Sequence, residues 1–393
     1  MLLPGVRRVR RPGDATTPPF DLAYVRTGPR VSTPVLIIPG GPGLASALPY
    51  AALRRRAADR GVDVVMVEHR GVGLSRKDVT GRDLPADAMR IEAVIDDVVA
   101  VLDAERIERA TIYGSSYGGF LAAGLGIGHP DRVQAMILDC PMVDVTDHEL
   151  ERSVLRAALW DLPSRGDPPL ADGVRRLAAR GLDRTELLVV VRAAYELGGP
   201  TLTDRLVRSR LGRRATARLR GTLAWQLLQR YAGRGSAAAQ RVPLLYEFDL
   251  VAHLAFRELN YAPPPDGRPF DPALTYASLA ARYPAFVGAP YDPLVGMRAF
   301  TWPTAILTGK QDLRTPAASA VRAAEALAHG ELIELDSGHS ALESHERAAL
   351  HAIHRVSARQ LAQLAADGPL LDALPRRGAA AAVARAVDIT LGD

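Results

Sequence analysis

Hydrophobic positions along this chain fall into two alternating rhythms. Val35-Leu36-Ile37-Ile38, Val62 to Val67, Ala110 to Tyr113 and Val133 to Leu138 are short, mostly apolar runs, as expected of strands buried on both faces of a sheet. Phe20 to Arg26 alternates instead, like a strand with one covered face. Between the runs, Ala51 to Arg60 reads as a helix, and Ile91 to Leu102 places Ile91, Val94, Ile95, Val98 and Leu102 at helical spacing. Strand, helix, strand implies parallel pairs joined by crossovers, so the expected class is α/β with a mostly parallel central sheet flanked by helices.

From about Met142 to Phe300 the texture turns helical. It is interrupted at Pro163 to Pro169, Gly198-Gly199-Pro200, Gly233 to Gly235 and Pro263 to Gly267. The alternation then resumes with a strand, Pro303 to Leu307, a helix, Pro316 to His329, a strand, Glu331 to Leu335, and a helix, Glu343 to Leu364. A helical block set between strands of one sheet reads as an inserted cap that shapes a pocket and excludes water. The expected organisation is a loosely held Arg- and Pro-rich arm at 1–19, a core at 20–141 and 301–366, a helical cap at 142–300, and a tail at 367–393 with a weak helix from Ala379 to Ala386.

With 393 residues, 48% of them hydrophobic, the chain can bury a large core. A net charge of +5 raises nucleic acid as a partner, but the arginines are scattered among acids, lysine occurs only at Lys77 and Lys310, and aromatics are 5%. That is not the footprint of a nucleic-acid surface. No apolar stretch is long enough to span a membrane and the start lacks a signal-peptide core, so a cytoplasmic protein is expected. Cys140 is the single cysteine, which excludes an internal disulfide and reads as a buried bystander. No metal or cofactor is implied, and the sequence leaves the oligomeric state open.

The chemistry concentrates at the carboxyl ends of the predicted strands. Gly114-Ser115-Ser116-Tyr117-Gly118 follows one strand and opens a helix. A serine at such a sharp turn projects its hydroxyl at the sheet edge, and the flanking glycines remove Cβ atoms that would clash there. Serine needs a base, and the base needs a group that holds its tautomer. His339 follows Asp336-Ser337-Gly338 after the last strand, whereas His345, His351 and His354 lie on the next helix and read as exposed. Asp312, between a strand end and a helix, is the expected orienting acid; Asp139 and Asp144 are its rivals. The order Ser116, Asp312, His339 is the one used by nucleophile-elbow hydrolases. Pro39-Gly40-Gly41-Pro42-Gly43 forms a rigid loop whose backbone, Gly40 included, can approach a ligand.

Together these segments, with Glu68-His69-Arg70-Gly71-Val72-Gly73-Leu74-Ser75, resemble the α/β-hydrolase family, and within it the prolyl and tripeptidyl aminopeptidase branch. The likeness covers roughly 20–140 and 300–365. Pro39 stands where a histidine is common in that branch, and Glu68 where an aspartate is. The resemblance implies an oxyanion hole from the backbone N–H groups of Gly41 and Tyr117 and a structural Arg70. It also implies cap carboxylates that hold a substrate amine, for which Glu258 and then Glu247 are the candidates. The expected activity is cleavage of small peptides or aminoacyl amides through an acyl-enzyme. The alternatives are an esterase, lactonase or tailoring hydrolase on a small metabolite, or a non-catalytic binding protein on the same fold.

Overall fold

The computed structural model describes residues 5–161, 169–232 and 241–392. The first strand, β1 (Val6–Arg11), precedes β2 (Phe20–Thr27), β3 (Val35–Ile38), helix α1 (Ala51–Ala58) and β4 (Val64–Val67). Next come α2 (Ile91–Ala104), β5 (Ala110–Ser115), α3 (Tyr117–Gly128) and β6 (Val133–Asp139). A helical region follows, with α4 (His148–Leu159), α5 (Pro169–Ala178), α6 (Arg184–Leu211), α7 (Ala215–Ala232), the short strands β7 (Arg241–Val242) and β8 (Tyr246–Glu247), α8 (Phe248–Leu259) and α9 (Pro293–Met297). The chain closes with β9 (Thr304–Gly309), α10 (Ala317–Ala326), β10 (Gly330–Leu335), α11 (Ala341–Ser344), α12 (Glu346–Ser357), α13 (Leu361–Ala366), α14 (Gly368–Ala373) and α15 (Ala379–Leu391).

Eight strands form one sheet in the order β1-β2-β4-β3-β5-β6-β9-β10. β1 and β2 run antiparallel; the pairs from β4 to β10 are parallel. The apolar runs β3, β5 and β9 are buried at every position, because helices cover both faces. One core lies between the sheet and α2, α3 and α8, a second between the sheet and α1 and α12, and a third inside the helical region.

Two expectations are corrected. Residues 6–11, placed in a loose arm, are the edge strand β1, held by Arg7 to Glu105, Arg10 to Asp21 and Arg11 to Asp97 at 2.6–2.8 Å. A charged edge strand resists pairing with other chains. The helix read over 343–364 is broken, since Arg359 adopts a left-handed backbone (φ 59°) between α12 and α13. Most of the expected breaks at 163–169 and all of that at 233–235 lie outside the described residues.

The tail is integrated. α15 packs against α6 and α7, and its Val387 and Leu391 join the core of the helical region. α6 is kinked where Gly198 and Gly199 leave helical geometry ahead of Pro200, and this kink rests on the sheet domain. A Cβ on Gly338 would lie 2.1 Å from the carbonyl oxygen of Glu196, and one on Gly199 would lie 3.2 Å from Gln311 Nε2.

Candidate active site

Between β5 and α3 the chain turns on a single residue. Ser116 holds φ 54° and ψ −116°, a conformation that costs a non-glycine residue on the order of 1–3 kcal/mol. The turn is possible because its flanks are glycines: a Cβ on Gly114 would lie 2.4 Å from Gly118 O, and one on Gly118 would lie 2.1 Å from Ile38 O. The Ser116 N–H donates to Asp139 O at 2.9 Å, and its carbonyl accepts from Met142 N–H at 3.1 Å. The hydroxyl is therefore presented from an over-determined backbone.

Asp312 and His339 meet from separate loops, with Nδ1 of the ring 2.9 Å from Asp312 Oδ2. Asp312 also accepts from the N–H groups of Arg314 (2.8 Å) and Thr315 (3.1 Å) and from Thr315 Oγ1 (2.8 Å). Burial opposes its ionisation, but the His339 charge and these hydrogen bonds outweigh it and hold the carboxyl at about 2. For His339 burial again opposes the charged form, and Asp312 prevails, leaving the imidazole above its ordinary value.

The two halves of the site are tied together by their chain neighbours. Ser115 Oγ and Ser340 Oγ lie 2.7 Å apart, one residue from Ser116 and one from His339. Asp139, a rival for the orienting acid, instead holds the histidine loop, accepting from Ala341 N–H (2.8 Å), Leu342 N–H (3.0 Å) and Tyr113 Oη (2.8 Å). Asp144 is engaged by Thr146 and Arg322. Of the other histidines, His345 is buried rather than exposed, with Nε2 2.9 Å from Leu371 O, and His351 pairs with Asp367 at 2.6 Å.

The glycine loop lies against the serine. A Cβ on Gly40 would come within 3.3 Å of Ser116 Cβ, and Gly41 takes φ 123°, a conformation suited to glycine. Gly41 O accepts from Tyr261 Oη at 3.0 Å. Tyr117 is the first residue of α3, so its N–H has no partner within the helix. Arg54 and Glu68 fasten the stretch beyond the loop: Arg54 Nη2 donates to Ala47 O at 2.6 Å and Glu68 Oε2 accepts from Ala47 N–H at 2.9 Å. Arg70 grips Asp97 with two bonds of 2.7 Å.

Residues 33–346 match the sequence profile of the family described as the alpha/beta hydrolase fold. The chain belongs to the α/β-hydrolase family. Among curated relatives, it is 30% identical over 114 residues to a putative carbamate hydrolase RutD of Caulobacter sp. (strain K31), a stretch that is 29% of this chain and 40% of that protein. It is 35% identical over 113 residues to a 2-hydroxymuconate semialdehyde hydrolase of Pseudomonas sp. (strain CF600), covering 27% of this chain and 35% of the relative. The matched stretch is thus well under half the length of either relative. A proline iminopeptidase of Mycobacterium smegmatis superposes with a TM-score of 0.50 over 92% of this chain and 99% of its own, at 16% identity, a likeness of fold.

On the helical side of this α/β hydrolase, the two carboxylates expected to anchor a substrate amine are committed elsewhere. Glu258 Oε2 accepts from Ile91 N–H at 2.8 Å, which caps α2, while Oε1 pairs with Arg257 at 3.0 Å. Glu247 pairs with Arg76 at 3.0 Å and accepts from Leu244 N–H at 3.0 Å. Both are buried as structural acids. Charged groups whose fields reach Asp312 and His339 come from α4 and α6. Glu196 pairs with Arg314, two residues beyond Asp312, and Glu151 lies 3.9 Å from Arg192. Burial raises Glu151 to about 7, with Arg192 and Asp312 pulling in opposite directions. Their sequence context gives no hint of this, since a charged residue on a helix is ordinarily a solvated one.

Cys140 Sγ, an Asp312 oxygen and a His339 ring nitrogen lie within 4.8 Å of one another. Burial, reinforced by Asp312, pushes the thiol well above its ordinary range, so it faces the pair as a neutral group.

Proposed function

We propose that this chain is a serine hydrolase that cleaves an ester or amide of a small molecule or short peptide, with Ser116 as nucleophile, His339 as base and Asp312 as orienting acid. The observation that carries the reading is the 2.9 Å contact between His339 Nδ1 and Asp312, at a rim joined to the strained Ser116 turn by the Ser115–Ser340 bond. With Nδ1–H directed at Asp312, Nε2 is free to take the Ser116 proton as the oxygen attacks the carbonyl. The imidazolium so formed is stabilised by the Asp312 carboxylate. The N–H groups of Gly41 and Tyr117 face the developing oxyanion, each such donor lowering the barrier by about 3 kcal/mol. His339 then returns the proton to the leaving group, and water releases the acyl group by the same route. The helical segment 142–300 serves as the cap that keeps bulk water out.

On the substrate, the commitment of Glu258 and Glu247 to structural pairs favours an esterase-like or tailoring hydrolase on a small polar metabolite. Aminopeptidase-like cleavage is the second reading, favoured by Glu151, a loosely paired carboxylate on the cap side of the site. Rates on aminoacyl anilides and their N-acetylated forms separate the two. If acetylation leaves kcat/KM unchanged, the amine is not read and the first reading stands; a loss of a hundredfold or more supports the second. Ser116→Ala should abolish turnover of every substrate tested, and an unchanged rate would sink both.

A further inference from the structure

The roof of the site carries two ion pairs of unequal quality. Glu196 is fully engaged: both its oxygens lie 3.1 Å from Arg314 Nε, and Oε2 meets Arg314 Nη2 at 2.9 Å. One turn earlier on the same face of α6, Arg192 has no comparable partner. Its one ion pair, with Glu151 of α4, is 3.9 Å long, and among the described residues its guanidinium makes no hydrogen bond. A guanidinium offers five donors; Arg192 is 12% exposed, but none of its nitrogens is among the buried atoms without a partner, so its donors stay accessible to water or to a ligand that accepts from them.

The position of Arg192 says what that acceptor belongs to. The Glu196 carbonyl abuts Gly338, beside His339, so the face of α6 that carries Arg192 runs up from the histidine loop. Arg192 feels the charges of Arg314, Glu196 and Glu151 and the hydroxyl of Tyr276. The Tyr276 ring lies 5.1 Å from that of Tyr261, whose hydroxyl holds Gly41 O. Arg192 therefore belongs to the cluster of charged and phenolic side chains that borders the glycine loop through Tyr261 and the histidine loop through Glu196. In acyl transfer by a Ser–His pair the leaving group departs beside the imidazole, which hands it a proton.

The sign of the unmet charge is positive. The Glu196 charge is cancelled by Arg314, while Glu151 is too distant from Arg192 for a hydrogen bond and, raised to about 7 by burial, is only partly ionised at neutral pH. We infer that the leaving group of the substrate carries a carboxylate and that Arg192 binds it through paired N–H···O bonds. This deepens the proposed function and rests on Ser116 being the nucleophile. It makes the substrate class an ester of a hydroxy acid or an amide of an amino acid with its carboxylate free.

The test compares 3-acetoxybenzoate with the neutral isostere 3-acetoxybenzamide, product release being followed by chromatography. The expected result is a kcat/KM at least about tenfold higher for the carboxylate, expressed in KM. In Arg192→Met the ratio should collapse to near one, and in Arg192→Lys part of it should remain. A ratio near one in the unaltered enzyme, or a preference for the amide, overturns the inference. So does an equal fall on both esters in Arg192→Met, which would mark a purely structural arginine. Failure to cleave either ester, by a protein whose Ser116 still takes a fluorophosphonate, also overturns it. Absence of that adduct counts against the nucleophile itself, and so against the proposed function.

Discussion

A serine hydroxyl keeps its proton at neutral pH, so the reactivity proposed for Ser116 depends on how His339 is poised. Asp312 holds the imidazole above its ordinary value of 6.5, and only the neutral ring can accept the serine proton. kcat/KM should therefore rise with pH through a single ionisation above 6.5 and fall away below it. A profile flat from pH 5 to about 9 would contradict His339 as base. Asp312→Asn removes the charge that supports the imidazolium and allows the wrong tautomer, and should lower kcat roughly 1,000- to 10,000-fold with little change in fold. Linkage gives the same carboxyl a stability signature. Held at about 2 against an ordinary 3.8, Asp312 stabilises the fold above the ordinary value and loses that contribution as pH falls towards about 2. At this scale Ser116, Asp312 and His339 stand out in the sequence as candidates because each follows a strand end in a glycine-bearing turn, and the structure brings Asp312 and His339 within 2.9 Å. Glu151 and Arg192 do not, since they pair with each other across α4 and α6, which only tertiary packing brings together.

At the scale of elements, the contact between α6 and the loop that carries His339 sets the local geometry. The α6 kink exists because Gly198 and Gly199 relax the backbone, and it lets Glu196 reach both Gly338 and Arg314. Gly338→Ala would drive a methyl group into the Glu196 carbonyl, 2.1 Å away without rearrangement. Such overpacking costs about 1–3 kcal/mol, so a lowered melting temperature and a loss of activity are expected together. Unchanged values of both would show that α6 does not rest there. Beneath the site, Arg70→Met leaves Asp97 with only the partly exposed Arg11, and breaking a buried pair of this kind costs about 3–5 kcal/mol, measurable by denaturant unfolding. The parallel strands were legible because burial on both faces writes continuous apolar runs into the sequence. β1 was not, because an edge strand of two valines each followed by two arginines lacks the period-2 pattern and is stabilised by ion pairs with Asp21, Asp97 and Glu105 that no local pattern announces.

For the whole molecule, α15 is a brace. Its Val387 and Leu391 complete the core of the helical region, and Arg205 donates to Gly392 O at 2.5 Å, so α15 fastens the helical segment proposed to roof the site. Truncation after Gly378 should lower the melting temperature by several degrees and raise KM more than it lowers kcat, because the roof loosens while the catalytic loops stay anchored in the sheet. Equal kcat and KM in the truncated protein would show that α15 is an ornament. The α/β class was readable from alternating runs, but the packing of the tail on α6 and α7 was not, since it joins segments far apart in the chain. In the proposed mechanism three side chains from distant loops work as one unit. The most direct measurement of this is the site and rate of covalent modification by a fluorophosphonate, read by mass spectrometry of digested protein. We expect one adduct, on Ser116, formed at least a hundredfold more slowly in His339→Ala. An adduct on another residue, or an undiminished rate without the imidazole, would contradict the account.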